Sequence, residues 1–160
     1  MRFEHRLTYD ASPEDVYAML CDPVFRERVC ESQRAHEWDV AIESAGAAMT
    51  VAVDQRRPSD GVPGFARRFV GEEIHIAQRE SWSSQAAATL EVTVPHKPAH
   101  LRGTIALAED GRGTLETVAG DLKVSIPLLA GRLEGLIAHM LEVALVVEQT
   151  VGTAWLAGDR

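Results

Sequence analysis

Cysteine, lysine and aromatic residues are scarce in this chain of 160 residues. The two cysteines, Cys21 and Cys30, are too few for a disulfide framework, and their spacing matches neither a CxxC motif nor a zinc-binding pattern. We therefore expect a cytoplasmic protein. Lysine occurs only twice and the net charge is −8, whereas binding to nucleic-acid phosphates requires a basic surface. This composition predicts no nucleic-acid partner.

The sequence also lacks an uninterrupted apolar segment long enough to cross a membrane. Residues 1–10 alternate polar and apolar side chains and contain no apolar core of a signal peptide. The longest apolar segment, near the C-terminus, is interrupted by Glu134, His139, Glu142 and Glu148. We expect neither a signal peptide nor stable membrane insertion. The length and the 46% hydrophobic content fit one domain over residues 1–160.

Motifs for metal, phosphate or covalent chemistry are absent as well. His96 and His100 are four residues apart, but Pro95 and Pro98 prevent a helix there, and a zinc site needs three or four converging ligands. No serine or cysteine lies in a nucleophile motif such as GxSxG, and the segment GRGT follows Asp110 in a hairpin turn instead of opening a helix. We expect no metal and no cofactor, and we name no catalytic residue.

The first thirty residues predict a strand followed by two short helices. Residues 2–9 alternate, with one face formed by Phe3, His5, Leu7 and Tyr9. Helices are then expected to begin at Ser12-Pro13 and again at Asp22-Pro23. Serine and aspartate cap free backbone N–H groups, and proline suits the first helical position.

From residue 35 to residue 124 the pattern predicts strands almost throughout. The turn signals DGRG and Ser83–Gln85 separate some of them, and two prolines make PHKPAH a connection. The predicted strands are HEWDVAIE, AAMTVAVDQ, FARRFV, EEIHIAQRESW, AATLEVTV, LRGTIALAE and GTLETVAGDLKV.

Between Leu128 and Trp155 the apolar residues recur every three or four positions, which predicts a helix, and Ser125 is a candidate cap for its start. At roughly 1.5 Å per residue such a helix reaches about 40 Å, so its apolar face needs a large sheet to cover it. The fold class predicted from the residues is therefore α+β, with an antiparallel sheet curled around the last helix. The apolar stripe runs through Leu129, Leu133, Leu136, Met140, Ala144, Val147, Val151 and Trp155, and is widened by Ile137 and Val143.

Two segments and one tryptophan resemble a mainly actinobacterial family of uncharacterised proteins in the START/polyketide cyclase-like (SRPBCC) superfamily. They are YDASPEDVYAMLCDPVFRERV, GTIALAEDGRGTLETVAGDLKVSIPLLAGRLEGLI and Trp82 at the end of a long strand. The superfamily begins with a strand, then Ala-Ser-Pro-Glu-x-Val-Tyr and an Asp-Pro restart, which Ala11–Tyr17 and Asp22-Pro23 match. The resemblance implies a helix-grip fold of about seven strands around the long helix. It also implies a hollow for a lipid, a sterol-like or a polyketide-like molecule.

Candidate ligand contacts come from the strand faces and from the long helix. Polar residues in phase with apolar ones, such as His5, Glu80 and Glu116, could orient a ligand, or could instead lie in water or pair with arginine at strand ends. On the helix, Met140 is adaptable and Ala144 leaves space. The predicted ligand-binding residues are His5, Tyr9, Trp38, Glu80, Trp82, Leu136, Met140 and Ala144.

Three functions are compatible with this sequence. The first is a non-enzymatic binder or carrier of a hydrophobic small molecule. The second is a cyclase- or aromatase-like enzyme in which His5 or Glu80 moves protons. The third is a module that binds another protein through an exposed apolar patch. A polar group with a shifted pKa inside the cavity would favour the enzyme, and a nearly all-apolar lining would favour the carrier.

Overall fold

The computed structural model describes residues 1–160 and confirms the predicted α+β class. Seven strands form one fully antiparallel sheet in the order β1-β7-β6-β5-β4-β3-β2. Four helices accompany the sheet, and none of them is both long and apolar enough to cross a membrane. The elements are β1 (Arg2–Tyr9), α1 (Pro13–Leu20), α2 (Pro23–Ser32), β2 (Glu37–Ala45), β3 (Ala48–Pro58), α3 (Gly64–Val70), β4 (Glu73–Trp82), β5 (Ala87–Thr93), β6 (Ala99–Asp110), β7 (Gly113–Val124) and α4 (Ala130–Leu156).

The two predicted helix starts at the N-terminus are confirmed. The Ser12 side chain accepts a hydrogen bond from the backbone N–H of Asp15, and the Asp22 carboxylate accepts one from Val24. Both helices contact α4, so the pair fills the space between one end of the sheet and the long helix. Their buried apolar residues are Val16, Met19, Leu20, Phe25, Val29 and Cys30.

The prediction that FARRFV is a strand is wrong, because residues 64–70 form the helix α3. The buried Ala66 and the half-buried Phe65, Phe69 and Val70 follow a helical spacing of three or four residues. The chain leaves this helix at Gly71, whose φ of 78° favours glycine. With this segment removed from the strands, the sheet has the seven strands that the resemblance implies.

The predicted start of the long helix is also wrong. The helix begins at Ala130 with Leu129 at the cap position, and Leu128 has a φ of 67°, which is incompatible with a helix. Ser125 therefore does not cap it. Glu134, in the first turns, accepts a hydrogen bond from the backbone N–H of Val124 and so ties α4 to the end of β7. Val143 does not widen the buried stripe, because it is 51% exposed.

The apolar interior is divided into two clusters. The larger cluster joins the helix pair, the sheet and the C-terminal half of α4, and includes Phe25, Trp82 and Trp155. The smaller one packs α3 against the start of α4, with Ala66 and Leu133 among its members. Between the two clusters the sheet and α4 do not close on each other, and this leaves a cavity.

Candidate ligand-binding cavity

A cavity of about 170 Å³ lies between the sheet and α4. Of its 35 lining residues 24 are hydrophobic, so most of any occupant must be apolar. Apolar cavities of roughly 150 Å³ admit molecules the size of benzene. Lys97 and Pro98 line the cavity and are exposed, which indicates an opening at the connection between β5 and β6.

The helical wall of the cavity is formed by one face of α4. Five of the residues that the sequence pattern selected lie on this wall, namely Leu133, Leu136, Ile137, Met140 and Ala144. Val147 from the same stripe does not line it, whereas Leu141, Leu145 and Glu148 do. The face of α4 that meets the cavity is thus rotated slightly from the stripe that the sequence indicated.

The predicted ligand-binding residues are separated by the structure into two groups. Glu80, Leu136, Met140 and Ala144 lie together on the cavity wall. The other four do not line the cavity. Tyr9 and Trp82 are buried in the larger core cluster, and His5 is half-buried on the edge strand β1. Trp38 lies on the other edge strand, β2, and its Nε1 donates to Oε2 of Glu27 at 3.4 Å.

Glu80 belongs to a buried ion pair with Arg26. The Arg26 guanidinium donates to Oε2 of Glu80 at 2.8 Å and, through Nε, to the carbonyl oxygen of Leu20 at 2.6 Å. The indole of Trp82 also donates to Oε2 of Glu80, and the Gln78 amide donates to Oε1. Burial lowers the pKa of Arg26, but the surrounding carboxylates, Glu80 foremost, raise it more. Arg26 therefore stays charged and joins α2 to β4.

Two further carboxyl groups, Glu116 and Glu148, reach the same region from β7 and α4. Burial raises the pKa of Glu116 well above its usual range, and the charge of Glu148 raises it further. Burial likewise raises the pKa of Glu148, although Arg26 opposes this effect. Because Arg26 is already paired with Glu80, the Glu116–Glu148 pair holds a proton to higher pH than an exposed carboxyl group does.

The Tyr9 hydroxyl lies beside this carboxyl pair. Burial raises the pKa of Tyr9, and the charges of Glu116 and Glu148 raise it further, so the phenol stays neutral. Its oxygen and Oε2 of Glu116 are both buried without a hydrogen-bond partner. Oε2 of Glu116, which lines the cavity, can therefore accept a hydrogen bond either from the neighbouring Tyr9 hydroxyl or from a ligand.

A second polar group on the wall comes from β3. The Gln55 amide donates to Oε1 of Gln33, which follows the end of α2, and the Gln33 amide donates to the carbonyl oxygen of Ala144. A chain of two amides therefore connects β3 with α4. Oε1 of Gln55 and Nε of Arg57 are buried and unpartnered. Burial lowers the pKa of Arg57, but a guanidinium remains protonated in proteins.

Groups suited to metal binding or nucleophilic attack do not converge at the cavity. No set of three or more His, Cys, Asp or Glu side chains is arranged as metal ligands. Burial raises the pKa of the Cys30 thiol to about 11 and also raises the pKa of Cys21, so neither cysteine is a thiolate at neutral pH. The carboxyl, amide and guanidinium groups on the cavity wall can form hydrogen bonds and ion pairs, and the carboxyl groups can exchange protons.

Sequence reasoning missed three charged residues of this region: Arg26, Arg57 and Glu148. A signal existed for Glu148, since it lies four residues after Ala144 and three before Val151, in phase with the apolar stripe. Arg57 is in phase with Val51, Val53 and Gln55 on β3. Arg26 follows Phe25 on a short helix, where spacing alone does not separate a buried position from an exposed one.

Comparison with known families gives a match over almost the whole chain. Residues 4–156 match the model of a family described as "Protein of unknown function (DUF2505)". Uncharacterized proteins of Mycobacterium bovis and Mycobacterium tuberculosis are 25% identical over 107 residues. That match spans 63% of this chain and 62% of the relatives, so more than a third of their length lies outside it.

Solved structures show the same fold at low sequence identity. A protein of Thermus thermophilus has a TM-score of 0.65 and 17% identity, covering 96% of this chain and 98% of its own. A di-domain ARO/CYC protein from the steffimycin biosynthetic pathway gives 0.61 and 12%, covering 96% and 50%. A STAR-related lipid transfer protein from Xanthomonas axonopodis gives 0.60 and 13%, covering 98% and 85%. These likenesses confirm the START-like helix-grip fold.

Proposed function

The chain belongs to the DUF2505 family, and we propose that it binds a hydrophobic or amphipathic small molecule, such as a lipid, sterol-like or polyketide-like compound, between its sheet and α4. The observation that carries the proposal is the cavity, whose walls are mainly apolar and whose polar groups are few. One structural neighbour is named as a lipid transfer protein, which agrees with this proposal by analogy of fold. The proposal includes a cytoplasmic location, which the two free cysteines favour.

Binding in the cavity follows from the free energy of apolar burial. Leu136, Met140 and Leu145 line the space from α4, and Leu90 and Leu101 line it from the sheet. Each square ångström of apolar ligand surface removed from water contributes roughly 25 cal/mol. A ligand is therefore held mainly by its apolar body, and the polar groups determine its orientation.

Filling the cavity with a larger side chain tests this proposal. Ala144→Phe introduces a ring at the cavity wall, and Val143→Phe adds the same ring at an exposed position of the same helix as a control. We expect native mass spectrometry and titration with octanol to show binding to the wild type and to Val143→Phe, but not to Ala144→Phe. Equal binding by all three folded proteins, or no binding of any amphiphile to the wild type, contradicts the proposal.

A second candidate function is a cyclase- or aromatase-like enzyme, favoured by the Glu116–Glu148 pair. A carboxyl group that lines a cavity and whose pKa burial raises well above its usual range can act as a general acid. Incubation of a linear poly-β-ketone thioester with the wild type and with Glu116→Gln tests it. Loss of water from the substrate, detected by mass spectrometry with the wild type and reduced at least about a hundredfold in the variant, supports catalysis. Equal product formation in the presence and absence of protein argues against it.

A further inference from the structure

Arg57 is a charged side chain on the cavity wall that no protein group neutralises. Its Nε is buried without a hydrogen-bond partner. The neighbouring Arg56, which points to the opposite face of β3, forms ion pairs with Glu37 and Glu73. No carboxylate forms such a pair with Arg57. A buried guanidinium atom is normally paired, because removing the charge from water is costly.

The carboxyl groups of the cavity do not fill this role. Glu80 is paired with Arg26. Neither Glu116 nor Glu148 forms an ion pair with Arg57, whose pKa is lowered by burial. Those two glutamates can become neutral by holding a proton, whereas an arginine cannot become neutral by losing one. Arg57 is thus a cation on the cavity wall that no side chain of the protein pairs, and its buried Nε–H is free to bind a ligand.

The surroundings of Arg57 favour one class of partner. Val62 and Ile74 line the cavity with it, so the partner has to be attached to an apolar body. The guanidinium presents its N–H groups in a planar fork that matches the two oxygens of a carboxylate. Oε1 of Gln55 is also unpartnered, but it is an acceptor and does not compete for an anion. Arg57 is half-buried, which leaves the bound head group partly hydrated.

We propose that the cavity binds an amphiphile whose polar end is a carboxylate, held by the guanidinium of Arg57. This inference rests on the proposed binding function and adds the chemical class of the ligand. Lys97 is a second cation on the wall, but it is exposed in the connection between β5 and β6, where water can solvate its charge without a ligand. Arg57 therefore differs from Lys97, whose charge is solvated by water, and from Arg56, whose charge is paired with Glu37 and Glu73.

Three ligands with the same eight-carbon chain test the proposal by calorimetric titration: octanoate, octanol and octylammonium. We expect octanoate to bind the wild type at least about tenfold more tightly than octanol, because a charge-assisted hydrogen bond to a guanidinium exceeds a neutral one. Octylammonium should bind the most weakly. Arg57→Gln should remove the preference, so that the ratio of the octanoate and octanol affinities in this variant falls to about one or below.

Arg56→Gln and Lys97→Gln are the matched controls, and both should keep the preference for octanoate. Arg57→Lys keeps the charge but not the fork, so it should retain part of the preference. The inference is overturned if octanol or octylammonium binds as tightly as octanoate, or if the preference survives in Arg57→Gln. In those cases binding itself stands, whereas failure of all three ligands to bind the wild type would overturn the proposed function instead.

Discussion

Arg26 on α2 and Glu80 on β4 form an ion pair at 2.8 Å from which water is almost entirely excluded, with side chains only 4% and 0% exposed. The pair is satisfied by further hydrogen bonds from Trp82 and Gln78 to Glu80 and from Arg26 to the end of α1. It lies at the cavity and connects α2 with β4. Breaking this pair should therefore lower the free energy of unfolding more than breaking a surface ion pair does.

Arg26→Met should lower the free energy of unfolding by about 3–5 kcal/mol, because Glu80 would be left as a buried charge without its cation. Arg102→Met is the control, since Arg102 and Glu91 form an exposed pair of comparable length. Its loss should cost no more than about 1 kcal/mol. Urea unfolding at neutral pH measures both. Equal and small losses would show that the buried pair does not stabilise the fold.

The carboxyl pair Glu116 and Glu148 predicts that stability falls as the pH rises. Both carboxyls have a pKa above the ordinary value near 4.5 in the folded protein. Below that value both states hold the protons, so the pair contributes no pH dependence. Above it the unfolded chain loses its protons first, and the free energy of unfolding decreases by up to about 1.4 kcal/mol per pH unit for each proton that the fold retains.

Glu116→Gln removes one titrating group and should make this decline shallower. The measurement is the free energy of unfolding in urea at several values between about pH 5 and about pH 8. The slope is the readout, because the substitution also changes packing at every pH. Glu142→Gln, at an exposed position of α4, serves as the control and should leave the slope as it is in the wild type. Parallel curves for Glu116→Gln and the wild type would contradict the raised pKa.

Capping of α2 gives a prediction that follows from the sequence and from the structure alike. The Asp22 carboxylate accepts a hydrogen bond from Val24 N–H at 2.8 Å, so Asp22→Ala should cost about 1 kcal/mol. Pro23→Ala should leave the fold intact, because proline at the first helical position replaces no hydrogen bond. Thermal melts compare the two variants. A melting temperature of Asp22→Ala equal to that of the wild type counts against the cap.

Local signals allow much of the fold to be predicted from the sequence. The Ser12-Pro13 and Asp22-Pro23 starts and the alternation along β1 are set by neighbouring residues, and the structure reproduces them. Residues 64–70 are predicted wrongly because a segment with apolar residues at 65, 66, 69 and 70 fits a short buried strand as well as a helix. Only its packing against the start of α4 distinguishes the two.

The cavity is less accessible to sequence reasoning, since its polar groups are defined by contacts between distant elements. The phase of Glu80 on β4 selects it, but nothing in the sequence indicates that Arg26, 54 residues earlier, neutralises it. Arg56 and Arg57 look alike in the sequence, and the pleat of β3 sends one to solvent and the other to the cavity. Of the eight predicted ligand contacts, four line the cavity, and their roles in binding stay predictions.

Replacing two different glycines by alanine should change the free energy of unfolding in opposite directions. Gly120 on β7 pairs with Gly103 on β6, and a Cβ on Gly120 would clash with the carbonyl oxygen of Arg102. Backbone atoms of a paired strand cannot move away without breaking the ladder. Gly120→Ala should therefore lower the free energy of unfolding by at least about 2 kcal/mol.

Gly135→Ala should act in the opposite direction. Gly135 is exposed in α4, and a methyl group added to it would have no atom within 4 Å, so alanine gains helix propensity without a clash. A stabilisation of about 0.5–1 kcal/mol is expected in the same urea experiment.

Gly120→Ala should also weaken ligand binding, because β6 and β7 carry Leu101, Ile105, Glu116 and Val118 on the cavity wall. We expect weaker octanol binding to this variant at temperatures where the protein is still folded. Unchanged stability and binding in Gly120→Ala would show that the two strands can separate locally without disturbing the cavity.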